Sequence, residues 1–290
     1  MGQLPDHAKG MLITVAGVLA ISPDSLLVRL VSTDIWTLLF WRGLLVALVL
    51  AIGLAAAHRA RTAAAFAAVG RTGLIFAVLF SLNSFSFVYA VNTTTVANAL
   101  VLISAAPFFA ALIAIVFLRE SVRRRTWLAI LASFAGILVI VSGSASGGAR
   151  PGALPGDLAA LVTAFGLAIQ FNLLRRARHV NMIPAIALGS LLTAAIGLPL
   201  GEPLAVGARD ALWLGLLGLA VMPAATILIV TGPRYLPAPE VSLILLLETV
   251  LGPLWVWLAL GEVPSQRTFL GGAIVVAALA AHALAARRAA

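Results

Sequence analysis

The sequence predicts an all-α polytopic membrane protein, with ten transmembrane helices arranged as two inverted five-helix repeats. Three observations carry that prediction. The 290 residues are 62% hydrophobic and only 10% charged, whereas soluble domains carry about 25% charged residues. Long apolar runs recur from end to end, many of them close to the roughly 20 helical residues that cross a hydrocarbon core. The links between the runs hold their arginines mostly on alternate sides, as a topology signal does. A transmembrane barrel would require short alternating segments instead. The net charge of +9 therefore points to membrane orientation and not to nucleic acid. The absence of cysteine excludes disulfides, thiolate chemistry and cysteine-ligated metals.

The spans follow in order. The first, 10–30, contains Pro23, Asp24 and Arg29; the two charges interrupt its apolar run, which argues against a cleaved signal peptide. Spans two and three are 36–57, with Arg42 and Gly43 inside it, and 71–91. The fourth, 96–118, opens after a threonine run and is broken by Pro107. A basic cluster, Arg123 to Arg125, leads into the fifth, 126–143. The stretch 144–155 (SASGGARPGALP) reads as a flexible joint. Beyond it come 156–177, 183–200, 211–231, 238–260 and 267–286, set off by Pro, Gly, Thr or Arg. Residues 1–143 thus form one repeat, 144–155 the linker, and 156–290 the second repeat.

With the N-terminus in the cytoplasm, 14 of the 19 basic residues lie in cytoplasmic tails and links. Arg29, Arg150, Arg209 and Arg267 lie on the other side, and Arg42 is within a span. That asymmetry predicts ten spans with both termini inside. The halves also align. A shift of 146 sets Gly10 on Gly156, Arg29 on Arg175 and Gly43 on Gly189, while a shift of 142 sets Glu120 on Glu262 and Thr126 on Thr268. Five spans per unit is an odd number, so the second unit enters the membrane inverted, as in many secondary transporters.

Several stretches resemble the EamA type of the drug/metabolite transporter superfamily: the Arg42-Gly43 pair, FLRESVRRRTWLAILASFAGILVIV at the end of the first half, and LALGEVPSQRTFLGGAIVVAALAAHAL at the end of the second. The acidic residue closing spans four and nine, followed by a short turn and a Gly-containing span, is the most specific piece. The overall pattern is nearest to the bacterial exporters of aromatic and other neutral amino acids within that superfamily. Ala106-Pro107 stands where the second copy has Glu248-Thr249, and family members often show Glu-Pro there. The resemblance implies a cavity lined by spans 1, 3, 4, 6, 8 and 9, and a bacterial inner-membrane location.

Ionisable groups inside a membrane are rare and usually functional, and this chain has Asp24, Arg42 and Glu248 at depth. Asp24, whose repeat mate is Gln170, is a candidate to bind a substrate ammonium or a proton; the alternative is an ion pair with Arg29 or contact with water. Glu248 is open to proton coupling, to a structural hydrogen bond, or to pairing with Arg42. The resemblance adds Ile21, Leu79, Asn83, Ser104, Ala106 and Leu167 to the expected cavity, although a lone Asn or Ser equally serves helix adhesion. Pro23, Pro107, Gly252 and Pro253 are the expected hinges.

The expected function is secondary transport. Small neutral or zwitterionic solutes, amino acids above all, would be exported across the inner membrane by alternating access. The rival is a proton-coupled efflux pump for lipophilic cations. An enzyme fails on inventory: His7, His58, His179 and His282 lie in tails, links or the end of the last span, and no metal-ligand spacing or phosphate loop occurs. No cofactor and no metal is expected. The expected partners are a small-molecule substrate and the lipid bilayer; the sequence sets no oligomeric state and is compatible with a monomer.

Overall fold

The computed structural model describes residues 6–106, 108–109, 112–113, 124–145, 153–177, 180–231, 235, 244–245 and 247–287. Every regular element among them is helical. The first expected span is split into α1 (Asp6–Ile21) and α2 (Asp24–Leu30), because Pro23 brings no backbone donor to the ladder. Asp34 starts α3 (Ile35–His58): one carboxylate oxygen accepts the backbone N–H groups of Trp36 (2.9 Å) and Thr37 (3.0 Å). A 3-10 turn at Arg59–Arg61 and a short helix, α4 (Thr62–Ala67), fill the next link, and α5 (Gly70–Thr93) follows.

Thr95 caps α6 (Val96–Ile103) by accepting the N–H of Asn98 at 3.2 Å. That helix ends in a turn at Ser104 and Ala105; Pro107, the expected hinge, lies outside the described residues. Next come α7 (Arg124–Ala145), α8 (Leu154–Arg176) and α9 (Ile183–Gly197). The last of these stops short of the expected 200: Leu198 still has helical backbone and bonds the carbonyl of Ala194, but Pro199 brings no N–H to continue the ladder. α10 (Ala208–Thr231) runs through a π turn at Leu216–Val221. α11 (Glu248–Leu260) holds Pro253 and ends on left-handed Gly261, φ 70°; α12 (Gln266–Arg287) closes the described chain.

Among the described residues, five stretches are long and apolar enough to cross a membrane: Ala8–Leu30, Ile35–Ala67, Gly70–Thr93, Leu154–Leu174 and Ala208–Thr231. α9 and α11 are shorter apolar helices. Large apolar side chains such as Leu12, Ile52, Leu128 and Leu258 point outward, which suits a lipid surround. Leu38, Leu39, Leu102, Ile186 and Leu217 fill the interior. The protein is therefore an all-helical polytopic membrane protein.

The helix pairing carries the repeat. α3 packs on α9, α7 on α12, α5 on α8, and α1 on the second half of α10. In span numbers these are 2 with 7, 5 with 10, 3 with 6, and 1 with 8. Exchanging the halves carries the first two pairs onto themselves and swaps the last two, as a two-fold relation between repeats requires. At the crossing of α3 and α9, a Cβ on Gly43 would sit 2.5 Å from the carbonyl oxygen of Ser190. Backbones meet there directly, the close approach that small residues permit between membrane helices.

The links after α2, α5, α9 and α11 gather at one end of the bundle with the start of α8, tied by contacts such as Arg29 to the carbonyl of Thr94 and Glu202 N–H to the Thr37 hydroxyl. These links follow the odd-numbered spans, so this is the odd-link end. Asp34 lies there, outside the spans. Partial burial pushes its carboxyl pKa up, but hydrogen bonds from Thr37, Trp36 and Glu202 outweigh that and hold it below the usual value. Its stabilisation is thus complete at neutral pH and is lost as acidification passes the lowered folded-state pKa. Asp34→Ala is expected to cost about 1 kcal/mol at pH 7, read as a lower melting temperature, with the deficit shrinking at the acid end of a pH series.

Candidate functional site

The break between α1 and α2 positions the deepest charges. Pro23 ends one helix, so Asp24 starts the next with its side chain turned inward and only 4% of the residue exposed. Its carboxylate meets Arg42 of α3 in a two-point ion pair: Nη1 to Oδ1 at 2.9 Å and Nη2 to Oδ2 at 2.9 Å. Parallel contacts of this kind exploit the planar fork of guanidinium. Arg42 Nη2 also donates to the Met222 sulfur at 3.3 Å, and the guanidinium lies 5.3 Å from the centroid of the Phe87 ring. Asp24 is therefore committed to Arg42, and the buried charge at this depth is cancelled within the protein.

Glu248 begins α11 beside that pair. A methyl on Gly252, one turn on, would lie 3.1 Å from Glu248 Oε1, 3.3 Å from Ser25 Oγ, and in collision with Leu100. Gly252 thus lets the carboxylate approach α2. Neither Glu248 Oε2 nor Ser25 Oγ has a hydrogen-bond partner among the described residues, although both are buried. Higher on α11, the indole N–H of Trp255 donates to Ser22 Oγ at 3.0 Å, so the helix also grips the break in the first span.

Across the bundle, Asn83 of α5 lies against Gly166 of α8, where a Cβ would collide with the amide. Asn83 is 6% exposed and Gln170, one turn beyond Gly166, is 5% exposed. Both amide atoms of Asn83 and Nε2 of Gln170 lack partners among the described residues. A buried, unpaired amide costs about 1–3 kcal/mol, so this seam suits a polar ligand or water. One turn away in the other direction, Thr163 donates to Ser86 at 2.8 Å and fastens the same two helices.

The remaining expected residues are less uniform. Leu79 and Leu167 are half-buried on α5 and α8, and Ile21 packs on the core at the end of α1. Ser104 is buried, but its hydroxyl donates to the carbonyl of Val101 at 2.6 Å; it serves the end of its own helix. Ala106 is buried just past that turn. Pro23 stands at the break, and Pro253 lies within α11. An internal cavity of about 10 Å³ beside Arg42, lined in part by Ser84, Ser190 and Thr193, has room for a single water. A separate opening of about 440 Å³ at the odd-link end is lined by Asp34, Trp36, Glu202 and Leu200, among others.

Sequence reasoning missed a polar network at the odd-link end. Glu262 pairs with Arg29, Oε2 to Nη2 at 3.1 Å, and accepts the N–H of Val96 at 2.8 Å. Asp157, fully buried in the first turn of α8, accepts from the Thr94 hydroxyl at 2.6 Å and from Asn98 Nδ2 at 3.4 Å. Thr268 donates to Asn98. An acid immediately after a repeat-marking glycine, Gly156, was the available signal for Asp157.

The model of the EamA-like transporter family matches residues 8–142 and again 154–282. An uncharacterized transporter, YdfC, of Bacillus subtilis (strain 168) is 29% identical over 196 residues, which cover 64% of this chain and 61% of that protein. The chain thus matches less than two thirds of that relative's length. A solved crystal structure of a protein shares the fold at a TM-score of 0.65 and 20% identity, over 97% of this chain and 99% of its own.

Proposed function

The chain belongs to the EamA-like transporter family, and from that premise we propose that it exports small net-neutral solutes, chiefly amino acids including aromatic ones. Transport runs by alternating access across the bacterial inner membrane, with both termini cytoplasmic. One observation carries the substrate class. The deep charges Asp24 and Arg42 neutralise each other, while the buried amides of Asn83 and Gln170 offer unused hydrogen-bonding capacity. Recognition by amides favours zwitterions and other polar solutes without net charge. The half-buried Ile21, Leu79 and Leu167 supply apolar surface for a side chain. Binding through so few contacts is weak, because ordering and desolvation offset most of the gain; weak binding suits an exporter that drains accumulated solute.

Glu248 favours a second reading, proton-coupled efflux of lipophilic cations, since a buried carboxylate oxygen without a partner is suited to exchanging protons. Proteoliposome flux with a panel of labelled neutral amino acids, nucleosides and cationic dyes separates the two. Neutral amino acids should cross, with aromatic and branched ones favoured. Glu248→Gln keeps the shape and removes titration, so it should retain downhill amino-acid flux without a pH gradient. Dye flux without amino-acid flux, abolished by Glu248→Gln, would give the case to the drug pump.

A further inference from the structure

We infer that Glu262 is the latch of a gate that closes the odd-link end between the repeats and is released in each transport cycle. The inference rests on the transporter reading but not on the identity of the solute. Glu262 belongs to the second repeat, and both groups it binds belong to the first. Arg29, on α2, approaches at 3.1 Å, with its side chain only 12% exposed. Val96 presents the first N–H of α6, which has no carbonyl within its own helix to bond, and Glu262 Oε1 receives it at 2.8 Å. A carboxylate at a helix N-terminus is doubly favoured, by that N–H and by the helix dipole. Arg29 also donates to the carbonyl of Thr94 at 2.7 Å, so the arginine, the 94–96 turn and Glu262 form one knot.

Two features distinguish a gate from ordinary helix adhesion. First, the knot crosses the boundary between halves, the boundary that must part on one side for solute to leave. Second, the 94–98 turn is held from three sides: by Glu262, by Asp157 of α8 through Thr94 and Asn98, and by Thr268 of α12 through Asn98. All of these grips come from the second repeat. Directly beneath them Leu100 reaches across to Gly252, so the turn and the first part of α6 plug the seam. Glu262 supplies the acid of the Arg29 ion pair in this closure, and its side chain is more exposed than its partner's, 25% against 12%; water can reach it and compete when the halves begin to separate.

The absence of native cysteine makes the test direct. In a Leu100→Cys background, the modification rate by a membrane-impermeant thiol reagent reports opening of the seam. Vesicle sidedness is set by a separate Leu204→Cys variant, since Leu204 is fully exposed at the odd-link end. Reagent is applied from that side without solute. Glu262→Ala should raise the Leu100→Cys rate at least tenfold; Glu262→Gln, which still accepts the Val96 N–H but has no charge, should raise it less. Arg29→Gln should match Glu262→Gln. If Glu262→Ala fails to fold, the two glutamine variants carry the test alone. Rates within twofold of the parent in folded variants overturn the gate. So does an equal rise in Tyr235→Ala, which removes the ring 4.9 Å from Lys9 well away from the knot, because that rise would report general loosening.

Discussion

Arg42→Ala should lose about 3–5 kcal/mol of stability, the cost of stranding a buried charge whose partner has been removed. The carboxylate of Asp24 is left with 4% exposure and without the fork that met both of its oxygens. Met222 and Phe87 cannot replace the guanidinium. The folded yield after detergent extraction and the melting temperature should both fall sharply. Asp24→Asn should fall less, because a neutral amide still accepts one hydrogen bond from Arg42. The double variant Arg42→Met with Asp24→Leu should recover much of the loss, since apolar residues of similar size often replace a buried pair at little cost. A well-folded Arg42→Ala protein with selectively weakened binding of carboxylate-bearing solutes would reverse the assignment and make Arg42 a substrate grip.

Asn83→Leu should act in the opposite sense. The amide has no partner among the described residues, so the unliganded protein already bears its desolvation cost. Replacing it with an apolar side chain of similar size should leave the melting temperature unchanged or raise it, by up to about 1–3 kcal/mol of stability. Amino-acid flux should nevertheless fall roughly two- to tenfold, because a hydrogen bond to solute worth about 0.5–1.5 kcal/mol disappears. A protein that is no less stable yet transports more slowly is what a binding residue yields and an adhesive residue does not. Reduced stability with normal flux would place Asn83 among the helix-packing groups and remove it from the cavity.

These two residues show what was legible in the sequence. Among the described residues, span boundaries could be read closely, because proline, glycine and capping residues act within one turn of where they stand. The break at Pro23, an expected hinge, is of that kind; the cap at Asp34 and the stop at Gly261 act as locally, though only the structure drew them out. That Arg42 would be held by a protein partner, an acid or backbone carbonyls, was the sequence expectation, since a buried arginine needs its charge met. Which acid it would be did not follow: the sequence offered Glu248 for Arg42 and Arg29 for Asp24, whereas the bend at Ser22–Pro23 turns Asp24 toward α3 and Arg29 pairs with Glu262. The pairing within the network around Thr94, Asn98, Asp157 and Thr268 was not legible for the same reason. Its members come from four separate segments, and each alone reads as an ordinary polar residue near a helix end.

The π turn at Leu216–Val221 gives the chain a place where its length is negotiable. A π turn stores one surplus residue relative to regular α-helix. Removing a residue from that stretch should let the ladder close as α-helix while both flanks keep their rotational phase. Met222, immediately after it, would then still present its sulfur to Arg42. Elsewhere in α10 a single deletion would turn everything downstream by about 100° and swing lipid-facing side chains into the bundle. This one helix can therefore be shortened by a residue at a single known position without rewriting which of its faces looks inward.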